Sequence, residues 1–179
     1  NKVFAIMRKI FEKYGFEPLE TPALEEWETL SAKYAGGAEI LAETFRFKDK
    51  GEKEVGLRYD QTVPLARFMK ENPNIAKPFK RYEINRVWRY GDIKRGRLRE
   101  FYQCDIDVIG AKSMLADAEV LACALDVLDE LGLKDTLIRV NNRKILAALL
   151  EYAKAPKNNI VDCLRAIDKL DKIGLDGVK

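Results

Sequence analysis

The sequence of 179 residues contains no histidine, and this absence excludes several kinds of chemistry. Without imidazole groups the chain has no Ser–His triad and no histidine general base, and most types of zinc site are excluded as well. Cysteine is scarce: Cys104, Cys123 and Cys163 are scattered, and no two of them form a CxxC pair. Such a dispersed set is typical of reduced core thiols in an intracellular protein rather than of a disulfide framework.

Long apolar runs and a strong charge of one sign are also missing. No apolar run approaches the length of a membrane-spanning helix. The net charge of +3 is too small to indicate nucleic-acid binding by itself, although basic residues cluster between positions 77 and 99. Hydrophobic residues make up 47% and charged residues 34% of the chain. This composition is typical of a globular protein. The length of 179 residues suits one domain with a sizeable core and the start of a second domain.

Hydrophobic periodicity predicts helices mixed with short strands. Helices are expected over residues 2 to 14, 24 to 34, 115 to 131, 142 to 152 and 160 to 170. Strands are expected over residues 16 to 20 and 136 to 140, and in a hairpin that turns around residues 49 to 51. Asp60 is placed to cap the helix that follows it. Because hairpins predominate over strand–helix–strand alternation, the predicted fold class is α+β, an antiparallel β-sheet flanked by helices.

The most informative segment is residues 79 to 110, FKRYEINRVWRYGDIKRGRLREFYQCDIDVIG, which is predicted to form two strands joined by a basic loop. Side chains sort onto two faces at period two. The largely apolar face carries Tyr82, Ile84, Trp88, Leu98, Tyr102, Cys104, Ile106 and Val108, with Glu100 as its charge. The polar face carries Arg81, Glu83, Asn85, Arg89, Arg97, Arg99, Phe101, Gln103, Asp105 and Asp107.

The polar face of this hairpin has two interpretations. A half-exposed antiparallel sheet with one solvated face alternates in the same way. This face, however, has arginines at the turn end, then an aromatic ring, then an amide and carboxylates. That order suits a ligand with an anionic group, a planar ring and a cationic or amine group. Composition therefore favours a ligand site and leaves the solvated face as the alternative.

Several segments resemble one family in the correct order. VWRYGDIKRGRLREFYQCDIDVIG resembles motif 2 of the class II aminoacyl-tRNA synthetases, most closely that of the histidyl-tRNA synthetase family. LRYDQTVPLARF is similar to the family segment that carries an acidic residue and a threonine for the substrate histidine. GFEPLETPALEE resembles motif 1, and VNNRKILAALL and AIDKLDKIG resemble later segments. The resemblance spans nearly the whole chain, and the spellings LRYD and EFYQCD are closer to the archaeal and eukaryotic branch.

The resemblance implies a class II catalytic fold and the activity of a histidine–tRNA ligase. The expected cofactors and partners are ATP with Mg²⁺, L-histidine and tRNA(His), in a cytoplasmic homodimer with no membrane association and with Pro22 of motif 1 at the dimer interface. Residues 1 to 154 would form part of the catalytic core, and residues 155 to 179 the start of an inserted helical domain. Motif 3 and a Gly-Leu-x-Tyr-Tyr segment are missing from the sequence. The chain alone is therefore expected to be an inactive N-terminal part of the catalytic domain.

The same resemblance assigns the ATP-binding residues. Arg89 would be the catalytic residue that holds the α-phosphate of ATP and the carboxylate of histidine. Arg97 would lie toward the outer phosphates, and Arg99 would support the loop. Phe101 would stack on adenine. Arginine suits these roles because its planar guanidinium binds oxyanions in two places and stays charged.

A second group of residues would bind the substrate histidine. By resemblance, Asp60, Thr62 and Gln103 would contact the α-ammonium group. Asp107 would lie near the imidazole or the ammonium. Carboxylates, amides and hydroxyls are suitable partners for both groups. Asp105 receives no role, and no residue of this chain is predicted to bind a metal ion.

Structural alternatives remain for individual residues and for the protein. Arg89 could form a surface ion pair with Glu83 or Asp92, and Asp107 could be a solvated strand end. Motif 2 usually has an acidic residue two places after its arginine, where this chain has Gly91. Either Asp92 takes that role through a shifted loop or the contact is missing. The competing functions are a catalytically inactive regulatory paralogue and a class II synthetase for another amino acid, such as proline or threonine.

Overall fold

The computed structural model describes residues 2–32, 38–154, 156, 163, 166, 167 and 174. Contacts between Cα atoms divide the chain into two compact units, Asn1–Thr136 and Leu137–Lys179. The sequence-based boundary between residues 154 and 155 concerns an inserted domain and stays a prediction. The predicted helix over residues 160 to 170 lies mostly outside the described residues.

The first unit combines five helices with six strands in its described part. In chain order these elements are α1 (Lys2–Lys13), β1 (Glu17–Pro18), β2 (Leu24–Glu26), α2 (Trp27–Ala32), α3 (Ala38–Ala42), β3 (Arg46–Lys48), β4 (Glu54–Leu57), α4 (Thr62–Glu71), β5 (Phe79–Trp88), β6 (Glu100–Ile109) and α5 (Leu115–Glu130). The second unit contains α6 (Arg143–Tyr152), whose start is capped by the side chain of Asn142. The predicted α+β class is confirmed.

The strands form two three-stranded sheets, in the orders β1–β5–β6 and β2–β4–β3. The pair β1 and β5 is parallel, and the other pairs are antiparallel. The long hairpin of β5 and β6 pairs Phe79 with Ile109 at one end and Trp88 with Glu100 at the other. The predicted central hairpin and the smaller hairpin around residues 49 to 51 are both confirmed.

The apolar face of the β5–β6 hairpin packs against helices α1 and α5. The buried cluster between these elements consists of Ile10, Phe11, Phe16, Tyr82, Ile84, Cys123 and Val127. Removing these side chains from water is the main favourable contribution to the stability of this layer. Burial also raises the pKa of the Cys123 thiol to about 11, which keeps it protonated and unreactive. The predicted assignment of the two faces is therefore confirmed, and the opposite face is left for polar side chains.

The sequence-based helix over residues 24 to 34 is wrong at its start. Its first three residues form strand β2, in which Leu24 pairs with Leu57 and Glu25 pairs with Gly56. Helix α2 begins only at Trp27. A Cβ atom at Gly56 would lie 2.6 Å from the carbonyl oxygen of Phe45, so the small sheet needs glycine there. Strand pairing at this close approach overrides the helical spacing of the sequence.

The sequence-based strand over residues 136 to 140 is also wrong. This described segment has no regular secondary structure, although Thr136, Ile138 and Val140 are β-branched. The pairings of the described strands do not include it, and Leu137 and Val140 remain largely exposed. Since strand propensity reflects packing against neighbours, β-branched residues without a paired strand do not form one.

In the described part of the chain, no helix has the length and apolar character needed to cross a membrane.

Candidate functional site

The candidate site lies on the polar face of the β5–β6 hairpin, opposite the apolar core. Register places Arg81 opposite Asp107, Asn85 opposite Gln103, and Val87 opposite Phe101. Arg89 follows directly after β5, and its backbone N–H donates to the carbonyl oxygen of Arg99 at 2.9 Å. Because side chains alternate along a strand, the side chains at positions 81, 85, 87, 89, 101, 103 and 107 share this face.

The guanidinium group of Arg89 is held between two aromatic rings. It lies 4.3 Å from the centroid of the Tyr59 ring and 5.1 Å from that of Phe101. Its Nε donates to the carbonyl oxygen of Tyr59 at 3.3 Å, and its Nη2 donates to Gln103 Oε1 at 3.1 Å. These partners are uncharged, and the described residues show no ion pair from Arg89 to Glu83 or Asp92. The cation is therefore fixed in position and available to an anionic ligand.

A cavity of about 380 Å³ opens beside Arg89, and its lining residues are Arg89, Gly91, Asp92, Gly96, Arg97, Leu98 and Phe101. Arg97 is largely exposed, with its Nη2 4.0 Å from Glu43 Oε1. Arg99 lies across the loop: its guanidinium is 4.1 Å from the Tyr90 ring centroid, and its Nε donates to the Gly91 carbonyl oxygen at 3.3 Å. The cavity thus presents the cationic side chains of Arg89 and Arg97 and the aromatic ring of Phe101. This combination suits a nucleotide, which has anionic phosphates and a planar base.

The four residues assigned to histidine are distributed between the sheet and the start of α4. Asp60 Oδ1 accepts hydrogen bonds from the backbone N–H groups of Thr62 at 3.0 Å and Val63 at 3.1 Å, so the predicted helix cap is confirmed. Thr62 is exposed and lines a separate cavity of about 550 Å³ between α2 and α4. Gln103 lies next to Arg89 on the sheet, and Asp107 lies toward the far end of strand β6. The structure therefore puts Arg89, Phe101, Gln103 and Asp107 on one face of the sheet, although Gln103 and Asp107 do not line the cavity beside Arg89. Thr62 opens to a different surface.

Two carboxylates lie on strand β6 in half-buried positions. Burial raises the pKa of Asp107 above its ordinary value, and the adjacent Arg81 guanidinium acts in the opposite direction. Burial likewise raises the pKa of Asp105, while the hydrogen bond from Gln103 lowers it and the charge of Asp107 raises it. These carboxyl groups are ready to receive a cation, because a positive charge would offset the cost of burying them ionised.

A buried ion network lies behind the carboxylates and joins three segments of the chain. Glu83 Oε1 is 2.8 Å from Arg58 Nη1, and Glu83 Oε2 is 2.9 Å from Arg81 Nη1. The Thr21 hydroxyl donates to Glu83 Oε2 at 2.9 Å, and Arg81 Nη2 donates to the carbonyl oxygen of Gln61 at 3.1 Å. The side chains of Arg58, Arg81 and Glu83 are at most 1% exposed. The polar face is thus a packed second core at one end and an open cavity at the other.

Sequence reasoning missed Tyr59, which forms one wall of the Arg89 site, and the Glu43 carboxylate beside the loop. A Cβ atom at Gly91 would lie 3.8 Å from Glu43 Oε1, and the Tyr59 hydroxyl donates to Glu43 Oε2 at 3.2 Å. Glu43 therefore brings a carboxylate close to the position where motif 2 usually has an acidic residue. Its contribution comes from a segment distant in sequence, which no spacing within motif 2 indicates.

Pro22, assigned to a dimer interface, lies in an exposed position. Its carbonyl oxygen lies 3.5 Å from Arg58 Nη1, so the motif 1 segment contacts the buried network. Trp27, farther along the same segment, is half-buried, with the Arg46 guanidinium 4.5 Å from its ring centroid.

Comparisons with known proteins agree on one family. The family model described as histidyl-tRNA synthetase matches residues 1–178. A histidine–tRNA ligase 1 of Bacillus cereus is 47% identical over 179 residues, which is all of this chain and 42% of that protein. A histidine–tRNA ligase of Aeropyrum pernix is 48% identical over 180 residues and is covered over 41% of its length. The chain thus spans less than half the length of these curated relatives.

The solved structures give the same result for the fold. The crystal structure of histidyl-tRNA synthetase from Nostoc sp. PCC 7120 superposes with a TM-score of 0.82 at 35% identity. The match covers 99% of this chain and 39% of that one. Matching sequence segments, the two-sheet fold and the arrangement of the polar hairpin face all lead to one conclusion. The chain belongs to the histidyl-tRNA synthetase family.

Proposed function

We propose that the protein containing this chain activates L-histidine with ATP and transfers it to tRNA(His). The observation that carries the proposal is Arg89, fixed between Tyr59 and Phe101 at the wall of the 380 Å³ cavity. In the activation step a histidine carboxylate oxygen bonds to the α-phosphorus of MgATP, and the bond from that phosphorus to the leaving pyrophosphate breaks. Negative charge grows on the phosphate oxygens during this step, and a preorganised guanidinium stabilises that charge.

The ATP end of the site is assigned to the loop side of the hairpin. Arg97 reaches into the cavity from the loop and is positioned to contact the outer phosphates. Phe101 offers a ring face on which the adenine can stack, and it also contacts Arg89. Arg99 ties the two sides of the loop together through the Gly91 carbonyl. ATP binds as its Mg²⁺ complex, so the metal ion is part of the substrate.

The histidine end is assigned to the carboxylate side of the same face. Gln103 hydrogen-bonds Arg89, and its amide also donates to Asp105 Oδ1 at 3.2 Å. The histidine carboxylate would therefore meet Arg89 while its ammonium or imidazole meets Asp107. Asp60 contributes negative charge from the start of α4, since its charge acts on the pKa of Asp107. This polarity supports an orientation in which the amino acid lies between Arg89 and the carboxylates.

The proposal predicts strict dependence of ATP–pyrophosphate exchange on histidine. In the full-length protein, exchange should be observed with L-histidine and stay at background with proline or threonine. Asp107→Asn should raise the KM for histidine by about tenfold or more, because the cationic group of the bound histidine would lose its charged partner. Steady-state exchange assays with each amino acid measure both effects.

Two outcomes would contradict this assignment in different ways. Exchange with an amino acid other than histidine would indicate a different class II synthetase. Histidine binding without any exchange, measured by calorimetry on the full-length protein, would indicate a regulatory paralogue that retains the site but not the reaction. Lys9→Met, at an exposed position on α1 far from the polar face, is the matched control and should leave exchange unchanged.

We also propose a homodimer formed through the motif 1 region, residues 15 to 27. This region includes the exposed Pro22 and strand β2, which lies at an edge of the small sheet. Leu24 on that edge is 45% exposed, and covering it in a two-fold interface would bury apolar surface on both copies. The resemblance to motif 1 and this exposed apolar edge support the proposal.

Light scattering of the full-length protein at micromolar concentration should give twice the monomer mass. Leu24→Glu should shift the equilibrium toward monomer by placing a charge in the interface. Phe47→Glu is a matched control, since Phe47 is 46% exposed on strand β3 at the opposite edge of the same sheet. A monomeric wild type, or equal dissociation by both variants, would contradict an interface through motif 1.

A further inference from the structure

Asp107 differs from the other proposed histidine ligands in what lies behind it. Its carboxylate is 27% exposed, and its Oδ2 lies 2.9 Å from Nη2 of the fully buried Arg81. Asp107 Oδ2 is buried against this guanidinium and has no other polar partner among the described residues. The charge of Arg81 is the main influence that lowers the pKa of Asp107, and the exposed part of the carboxylate remains accessible to a ligand.

Arg81 itself is held rigidly from two sides. Glu83 binds its Nη1 at 2.9 Å, and the carbonyl oxygen of Gln61 accepts from its Nη2 at 3.1 Å. Glu83 has further partners of its own in Arg58 and Thr21. A cation fixed in this way supplies a constant positive potential at one place under the sheet surface. That place is directly opposite Asp107 in the β5–β6 register.

We propose that Arg81 is a positioning residue that keeps Asp107 ionised and aimed at the bound histidine, and so sets the acidic limit of histidine binding. This inference rests on the proposed function, in which Asp107 meets a cationic group of the substrate. Arg81 acts through Asp107 and, being fully buried, does not itself contact the substrate.

The charges around Asp107 show why such a cation is needed. Glu83 on β5 and Asp60 at the start of α4 both act to raise the pKa of Asp107, as does its own burial. Asp105 lies two residues away on β6, and the charges of these two carboxylates interact. Arg81 is the group that acts against them, both through its charge and through its contact with the carboxylate.

The sign of the effect follows from these contributions. A neutral residue at position 81 removes the influence that lowers the pKa of Asp107, so that pKa rises further. The ionised fraction of Asp107 then falls as the pH decreases, and the affinity for a cationic substrate group falls with it. Each unit of pKa shift changes the ratio of protonated to ionised carboxyl about tenfold at a given pH.

The test is the pH dependence of the KM for histidine in Arg81→Met, measured by ATP–pyrophosphate exchange in the full-length protein. The quantity to compare is the ratio of the variant KM to the wild-type KM, because effects of pH that do not involve Asp107 cancel in this ratio. We expect this ratio to be about tenfold larger near pH 6 than near pH 8. The kcat and the KM for ATP should change much less, since Arg81 does not contact the ATP end.

Three further variants complete the design. Arg81→Lys keeps the charge and should restore a KM ratio that is constant with pH. Arg81→Gln removes the charge but retains hydrogen-bond donors, and it should behave like Arg81→Met. Arg86→Met lies on the same strand β5 with its guanidinium half-exposed beside Glu100, and it should leave all parameters unchanged.

The possible outcomes are distinct. A KM ratio that does not vary with pH, or equal losses in kcat and in both KM values, would overturn the inference. If both uncharged variants fail to fold while Arg81→Lys has the wild-type melting temperature, Arg81 is structural and the inference is also overturned. By contrast, a wild-type protein without histidine-dependent exchange would overturn the proposed function itself.

Discussion

Replacing Arg89 with alanine should lower the kcat for histidine activation by about 100-fold to 1,000-fold, with a much smaller rise in the KM for histidine. The guanidinium is proposed to meet charge that appears on the α-phosphate as the bond to the carboxylate forms. Contacts that strengthen in the transition state affect kcat more than KM. Steady-state ATP–pyrophosphate exchange in the full-length protein measures both quantities.

The matched control for this substitution is Arg86→Ala, which removes a guanidinium from the other face of the same segment. Arg86 is exposed and pairs with Glu100 at 2.9 Å, so its loss should change kcat by less than about twofold. A near-normal kcat with a raised KM in Arg89→Ala would show that Arg89 binds the ground state instead. That result would remove the catalytic role and keep only a binding role.

The second large effect is expected on stability, from Glu83→Gln. This substitution leaves Arg58 and Arg81 buried beside an uncharged amide, although their side chains are at most 1% exposed. Breaking a buried ion pair by neutralising one partner costs about 3–5 kcal/mol, because the remaining charge is not compensated. Urea denaturation of the wild type and the variant, with equal m-values, gives the difference in the free energy of unfolding.

A surface ion pair provides the comparison. Glu130 lies 3.8 Å from Lys9, and both side chains are at least 49% exposed. Glu130→Gln should therefore lower the free energy of unfolding by less than about 1 kcal/mol. Equal, small losses in both variants would mean that the buried network contributes no more than an exposed pair does.

The sequence predicted which side chains share a face of the sheet, because local periodicity is enough for that. Alternation along the β5–β6 hairpin places Arg89, Phe101, Gln103 and Asp107 on one face, and the pattern requires only the strand period. The Asp60 cap follows from local turn chemistry in the same way. The motif resemblance then identified the family, because the ordered segments cover the chain.

What the sequence could not predict depends on contacts between distant segments. Tyr59 reaches Arg89 from the segment before α4, and Glu43 approaches Gly91 from the other side of the loop. Arg81 and Glu83 look like solvent-facing strand residues in the alternation, and they are buried because Arg58 and Gln61 cover them. The strand wrongly predicted over residues 136 to 140 has the same origin, since pairing depends on a neighbour that composition does not reveal.

The buried network also joins the two sheets. Arg58 follows β4 of the small sheet, and its carbonyl oxygen accepts from the N–H of Trp88 at 3.1 Å, while its side chain binds Glu83 on β5. Opening the small sheet would therefore separate charges that are buried together. Local unfolding of one sheet without the other is costly, so both should exchange their amide hydrogens as a single cooperative unit. The Arg89 site then remains assembled whenever the domain is folded, and binding need not supply the entropy of ordering it.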